Sequence, residues 1–146
     1  MRGLQFRLLA AILVAFTLIG CGSGGGGDSD GDLNLTGTWA ARVTINSSTD
    51  GANPAGAQFL STLTLSDVSN TVTGTFVTES GLGGTVRGQT VGNLFSFTLV
   101  EGVNSCPKSC TGSAEVSSSD REFEGTYTCS DECGTSLSTS FSAIKN

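Results

Sequence analysis

The chain has 146 residues, with seven basic side chains, thirteen acidic side chains and no histidine, and its formal net charge is −6. The lack of histidine removes the commonest general base, the Ser-His-Asp arrangement and most catalytic zinc sites. An acidic surface without a basic patch disfavours nucleic acid and anionic headgroups as partners. We therefore expect a protein that is not an enzyme, holds no cofactor or metal, and binds no nucleic acid.

Residues 1–20 have the pattern of an export signal. Two arginines accompany an apolar run over residues 8–19, which has the length of a signal peptide and is too short to span a bilayer comfortably. The run ends in Leu18-Ile19-Gly20-Cys21, which resembles the lipobox of bacterial lipoproteins. The resemblance implies cleavage before Cys21 and lipidation of its thiol. The alternative is an ordinary secreted protein with an odd free cysteine.

The lipobox resemblance also implies a location. A lipidated Cys21 would anchor the chain to a membrane of the bacterial cell envelope, since each buried methylene contributes about 0.8 kcal/mol. Gly22 follows Cys21, where an Asp would favour the inner membrane in enteric bacteria, so we expect the outer membrane. Residues 21–146 retain all thirteen acidic residues and five basic ones, which gives a formal charge of −8.

Residues 21–32 are rich in Gly, Ser and Asp, which is typical of a flexible tether. The aspartates at 28, 30 and 32 match the first ligand positions of a calcium loop. The match then fails, because Leu33 stands where the turn glycine belongs and Trp39 where the bidentate glutamate belongs. We interpret the segment as a solvated linker to a single domain over residues 33–146.

The domain alternates apolar and polar residues and is punctuated by glycine, which predicts strands throughout. Eight strands are predicted, over residues 38–45, 59–65, 72–76, 83–90, 95–100, 109–117, 121–130 and 135–144. Mostly short connections favour an all-β, antiparallel up-and-down meander. Eight strands suffice to close a small barrel and so remove the exposed edges. A two-sheet β-sandwich is the alternative.

The first strand opens with Leu35-Thr36-Gly37-Thr38-Trp39, which resembles the opening of lipocalin-like and avidin-like barrels. Gly37-x-Trp39 matches the glycine-x-tryptophan of lipocalins, and the other lipocalin motifs are not evident. Avidin-type biotin sites use several tryptophans, whereas this chain has one, so the resemblance does not imply biotin binding. It implies a barrel of the kind that holds a small hydrophobic ligand.

Four of the five cysteines lie in the stretches CPKSC (106–110) and CSDEC (129–133), which flank a predicted hairpin. With the hairpin turn centred on residues 119–120, facing residues have numbers that sum to 239. This register opposes Val116 to Phe123, Ala114 to Gly125 and Gly112 to Tyr127, and it keeps the apolar residues on one face. The same register opposes Cys110 to Cys129 and Cys106 to Cys133. It therefore predicts two nested disulfides.

Other interpretations of these cysteines remain open at this point. Sequential bridges, Cys106–Cys110 and Cys129–Cys133, need sharp turns that Pro107 and the acidic 131–132 loop allow. Four thiolates also suit zinc, although two C-x3-C pairs are an unusual spacing and an exported chain meets an oxidising compartment. A redox role has no C-x-x-C motif or βαβ context to support it.

Eight aromatic residues are predicted to point inward, and they are either a filled core or the wall of a ligand cavity. If a cavity exists, we expect it to be apolar and to involve Trp39, Phe76, Phe95, Phe97 and Tyr127, with Trp39 and Tyr127 as polar contacts. The leading hypothesis is a lipid-anchored barrel that binds a small hydrophobic ligand. The alternatives are an interaction module, such as an inhibitor of an envelope-acting hydrolase, and a structural envelope protein with no discrete ligand.

Overall fold

The computed structural model describes residues 33–102 and 106–146. The predicted signal peptide (1–20), the tether (21–32) and Cys21 lie outside the described residues. The described part contains eight β-strands, and none of its residues forms a helix long and apolar enough to cross a membrane. The strands are β1 (Gly37–Ser48), β2 (Gln58–Val68), β3 (Thr71–Thr78), β4 (Gly83–Val91), β5 (Leu94–Glu101), β6 (Lys108–Val116), β7 (Glu122–Asp131) and β8 (Ser136–Lys145).

The strands form a closed antiparallel barrel in which each strand pairs with its sequence neighbour and β1 pairs with β8. The predicted up-and-down meander and the closed barrel are confirmed, and the sandwich alternative is wrong. The hydrogen bonds between β1 and β8 leave no edge strand exposed, which is the physical advantage of closure.

The first strand is longer than predicted. Its pairing with β8 shifts register between Ile45 and Ser47 and then continues to Ser48 opposite Leu137. A bulge of this kind adds one residue to a strand without ending the ladder. The alternation of β1 is nevertheless as the sequence predicts, with Trp39, Ala41, Val43 and Ile45 all buried.

The two ends of the barrel differ. We call the end with the β2–β3, β4–β5 and β6–β7 turns the closed end, because a tight apolar cluster fills it. Leu35 and Trp39 are both fully buried there, and Trp39 Nε1 donates a hydrogen bond of 2.9 Å to the Leu35 carbonyl. The Trp39 ring packs on Phe123 with centroids 4.6 Å apart. The segment before β1 thus seals this end.

Glycines make room for the aromatic rings on the inner face of the barrel. Gly112 of β6 lies between Phe97 of β5 and Tyr127 of β7 in the two registers. A Cβ atom at Gly112 would lie 2.5 Å from Tyr127 Cβ and 2.9 Å from Phe97 Cζ, and it would also meet the Thr126 carbonyl oxygen. Glycine is therefore required here by close approach of neighbouring strands and rings.

We predict that Gly112→Ala lowers the free energy of unfolding by about 1–3 kcal/mol, because the added methyl group overpacks the site. Urea denaturation followed by Trp39 fluorescence measures the change. Gly51→Ala is the matched control, since a Cβ there meets nothing within 4 Å, and it should stay within about 0.5 kcal/mol of the parent. Equal stabilities of the two variants would contradict the packing argument.

Candidate functional site

A cavity of about 320 Å³ occupies the other half of the barrel, which we call the open end. The β1–β2, β3–β4, β5–β6 and β7–β8 connections surround this end. Apolar side chains form most of the cavity wall, and they include Ala41, Val43, Ile45, Phe59, Leu63, Phe76, Val86, Phe95, Phe97, Leu99, Phe123, Leu137 and Phe141. The volume lies at the lower end of the range of about 300–1,000 Å³ that is common for small-molecule sites.

Four of the five residues predicted for a cavity line it, namely Phe76, Phe95, Phe97 and Tyr127. Trp39 does not. Its side chain is fully buried at the closed end and its indole N–H is used by the Leu35 carbonyl, so it offers no polar contact to the cavity. The two interpretations of the inward aromatics, a filled core and a ligand cavity, each describe one end of the barrel.

The rings around the cavity form edge-to-face contacts that fix their orientation. Phe97 and Phe141 have centroids 5.7 Å apart at an interplanar angle of 79°, and Tyr127 lies 5.8 Å from Phe141. At the base, Phe123 separates the cavity from Trp39 and packs edge-on against Phe95 at 6.0 Å. Such pairs prefer these tilted geometries, so the wall is preorganised rather than collapsed.

Tyr127 brings one polar group into this apolar wall. Its side chain is partly buried, and desolvation raises the pKa of the phenol. The negative charge of Glu101 raises this pKa further, while the Thr139 hydroxyl opposes the change. The phenol therefore stays a neutral hydrogen-bonding group at physiological pH.

Polar side chains form the rim of the open end, and sequence reasoning missed them. Lys108 Nζ lies 3.0 Å from Asp50 Oδ2, and each side chain is 19% exposed. Hydrogen bonds from the Asn53 side chain and the Ala52 N–H, together with Lys108, hold the pKa of Asp50 at about 2. This ion pair ties the β1–β2 connection to β6 over 58 positions of sequence.

The four cysteines form the predicted nested disulfides, Cys110–Cys129 and Cys106–Cys133. The predicted hairpin register, including Gly112 opposite Tyr127, is also confirmed. The sequential pairing is wrong, and the zinc interpretation fails because disulfide sulfurs are not thiolates. Cys110 and Cys129 are buried and line the cavity, whereas Cys106 and Cys133 lie beyond the strand ends at its mouth.

No protein-family model matches the chain, and no curated protein matches it either. The site is therefore interpreted from its geometry. It is a cup with Phe123 as its floor, aromatic and aliphatic side chains as its wall, a disulfide in one side and a charged rim. Such an arrangement can exclude water from an apolar molecule and orient a polar group of that molecule at the rim.

The disulfide pairing can be checked by a digest without reduction. Cleavage after Lys and Glu separates all four cysteines, because Lys108 lies in the first C-x3-C stretch and Glu132 in the second. We expect mass spectrometry to find segment 102–108 linked to 133–145, and 109–115 linked to 125–132. A reduced sample is the control. A link between 102–108 and 109–115 would contradict the nested arrangement.

Proposed function

We propose that the protein is a lipid-anchored, non-enzymatic binding protein of the bacterial cell envelope that holds a small apolar molecule in its cup. The observation that carries this proposal is the 320 Å³ cavity lined by oriented aromatic rings and open at one end only. Burial of apolar ligand surface contributes about 25 cal/mol per Å², and a preformed cup loses little of that gain to reorganisation.

The position of the first described residues supports a useful orientation for an anchored barrel. Leu33 packs against the core cluster at the closed end, so the tether leaves the domain there. Residues 21–32, fully extended, reach at most about 40 Å. A lipid on Cys21 would then be connected to the closed end of the barrel, and the mouth would lie at the end opposite this connection.

The disulfides support an exported location. Structural disulfides persist in oxidising compartments such as the bacterial periplasm and the cell surface, and they are rare in the cytosol. Both bridges lie within one hairpin, and they join residues 19 and 27 positions apart. Their location at the mouth means that oxidation stabilises the end of the barrel where the proposed ligand enters.

The chemistry of the wall supports binding rather than catalysis. The chain has no histidine. The Ser61 hydroxyl in the cavity wall donates to the Val77 carbonyl at 3.2 Å, so it acts as a structural group. The proposal is therefore that the cup retains its ligand without chemical change.

A protein partner is the second candidate, and one surface feature favours it. Exposed apolar side chains lie on the outer face of the barrel toward the open end, and they are Leu60, Val77 and Val100. Clustered apolar side chains at a rim are typical of protein-interaction sites. An interaction module, for example an inhibitor of an envelope-acting hydrolase, would use this rim rather than the cup.

The cup can be tested with the neutral dye N-phenyl-1-naphthylamine, whose fluorescence should rise on binding with one site per chain. Ala57 lines the mouth from the β1–β2 connection, so we expect Ala57→Trp to weaken dye affinity about tenfold. Ala55→Trp is the matched control, because Ala55 lies in the same connection, is exposed and does not line the cavity. Equal affinities of the two variants, or no dye binding by the parent, would contradict the proposal.

The anchor can be tested separately by metabolic labelling with an alkyne-bearing fatty acid in a Gram-negative host. We expect the parent chain to incorporate the label and to sediment with membranes, and Cys21→Ser to lose the label. Ser23→Ala is the control, since it changes a neighbouring tether residue and leaves the lipobox intact. Label retained by Cys21→Ser would exclude Cys21 as the acylated residue.

A further inference from the structure

One carboxylate points into the cup. Glu101 ends β5 and continues its inward-facing series after Phe95, Phe97 and Leu99, and it lines the cavity with its side chain partly buried. The negative charge of Glu101 raises the pKa of Tyr127 on β7, two strands away. This effect agrees with a Glu101 carboxylate on the inner side of the barrel. Glu101 thus brings negative charge to the inner wall just below the mouth.

An aromatic residue, Phe76, is separated from Glu101 only by Gly84 on the inner wall. Gly84 of β4 is paired with Phe76 on one side and with Glu101 on the other. A Cβ atom at Gly84 would lie 2.7 Å from Phe76 Cε1 and 2.9 Å from Glu101 Cα, so the ring leans across the glycine toward β5. A carboxylate attracts cations, and so does the face of an aromatic ring, and these two residues flank Gly84 on the inner wall.

The rest of the mouth does not cancel this charge. Lys108 is the single basic residue of the cavity lining within residues 33–102 and 106–146, and its Nζ is 3.0 Å from Asp50 Oδ2. Lys108 also pairs with Asp131 in the β6–β7 register, and the β5–β6 register, extended by one pair beyond Val100 and Ser109, places it opposite Glu101. Its Nζ is nevertheless bound to Asp50, so its charge is shared among several carboxylates. Among the described residues, the cavity lining itself carries two carboxylates, Glu79 and Glu101, against this one ammonium group, which is already paired with Asp50.

We infer that the cup takes an amphiphilic cation: a molecule with an apolar body that fills the aromatic cavity and an amine or quaternary ammonium group that lies beside Glu101 and Phe76. This inference rests on the proposed function, since it assigns the ligand class of the same cup. The apolar body gains from burial, and the ammonium group gains from a carboxylate in a partly desolvated position and from the adjacent ring.

The same arrangement discriminates against fatty acids and other amphiphilic anions. A ligand carboxylate at the mouth would meet Glu101 and Glu79, while Lys108 is already paired with Asp50. Like charges brought together at a partly buried site cost affinity, so the rim selects by repulsion as well as by attraction.

The test compares octylammonium, 1-octanol and octanoate, which share one hydrocarbon chain and differ in head group. Each competes with N-phenyl-1-naphthylamine on the full-length protein at pH 7. We expect octylammonium to bind about tenfold more tightly than octanoate, with 1-octanol between them. Added salt should narrow the difference, because it screens the rim charges.

Glu101→Gln is expected to weaken octylammonium about fivefold and to leave 1-octanol within about twofold, because it removes charge and keeps the shape. Glu124→Gln is the matched control, since Glu124 is exposed on the outer face of β7. The chain has one tyrosine, so absorbance titration reports Tyr127 directly, and its pKa should fall in Glu101→Gln and not in Glu124→Gln.

The outcomes separate the two proposals. If 1-octanol binds and octylammonium shows no advantage over octanoate, the inference of a cationic ligand is wrong, and the proposal that the cup binds a small apolar molecule remains supported. If the parent protein does not bind the dye, the proposed function is overturned, and the inference about the ligand class is overturned with it. An advantage for octylammonium that survives Glu101→Gln would also overturn the assignment of its head group to Glu101.

Discussion

The pairing of β1 with β8 is the constraint on which the rest of the structure depends. Once the sheet is closed, the number of strands sets the width of the lumen, and eight strands leave room for one layer of side chains or for one small ligand. Every inward residue must then share a fixed volume with inward residues at the same height. The difference between core and cavity is decided by how large those neighbours are.

At the closed end the neighbours are large. Trp39, Phe123 and Leu35 meet at one height and fill the section, and the indole N–H finds its acceptor in the chain segment that seals the barrel. At the open end, the inward positions of β6 and β7 hold Cys110 and Cys129. A disulfide occupies less volume than two bulky side chains would, so the same bridge that ties the hairpin leaves space in the lumen.

The sequence predicted the fold and the hairpin well because both depend on local pattern. One register placed Phe123, Tyr127 and the cysteine pairs correctly, since a hairpin with a short turn leaves few alternatives for a chain with alternating residues. Period-two alternation shows which face a residue is on, but not its height along the barrel axis. Trp39 was therefore assigned to the cavity when it belongs to the sealed end.

The hollow half and its rim depend on residues that are far apart in sequence. The cavity reflects volumes contributed by all eight strands, and the Lys108–Asp50 contact joins a strand to a distant connection. No pairing rule predicts that contact. The sequence did contain a signal for Glu101 and Lys108. Each continues the inward-facing alternation of its strand, on the open-end side of the outermost inward apolar residue. A charged residue at such a position is expected where the barrel interior meets solvent.

The point where the chain enters the barrel and the mouth of the cavity lie at opposite ends of the barrel axis. The chain enters the barrel past Leu35, which is held by the Trp39 indole and by a 3.3 Å hydrogen bond from its own N–H to Asp67 Oδ2. The mouth has its own restraints in the outer disulfide and the Asp50 ion pair. Both restraints at the mouth join residues of the barrel and its connections, so the shape of the cup is held by contacts within the described domain.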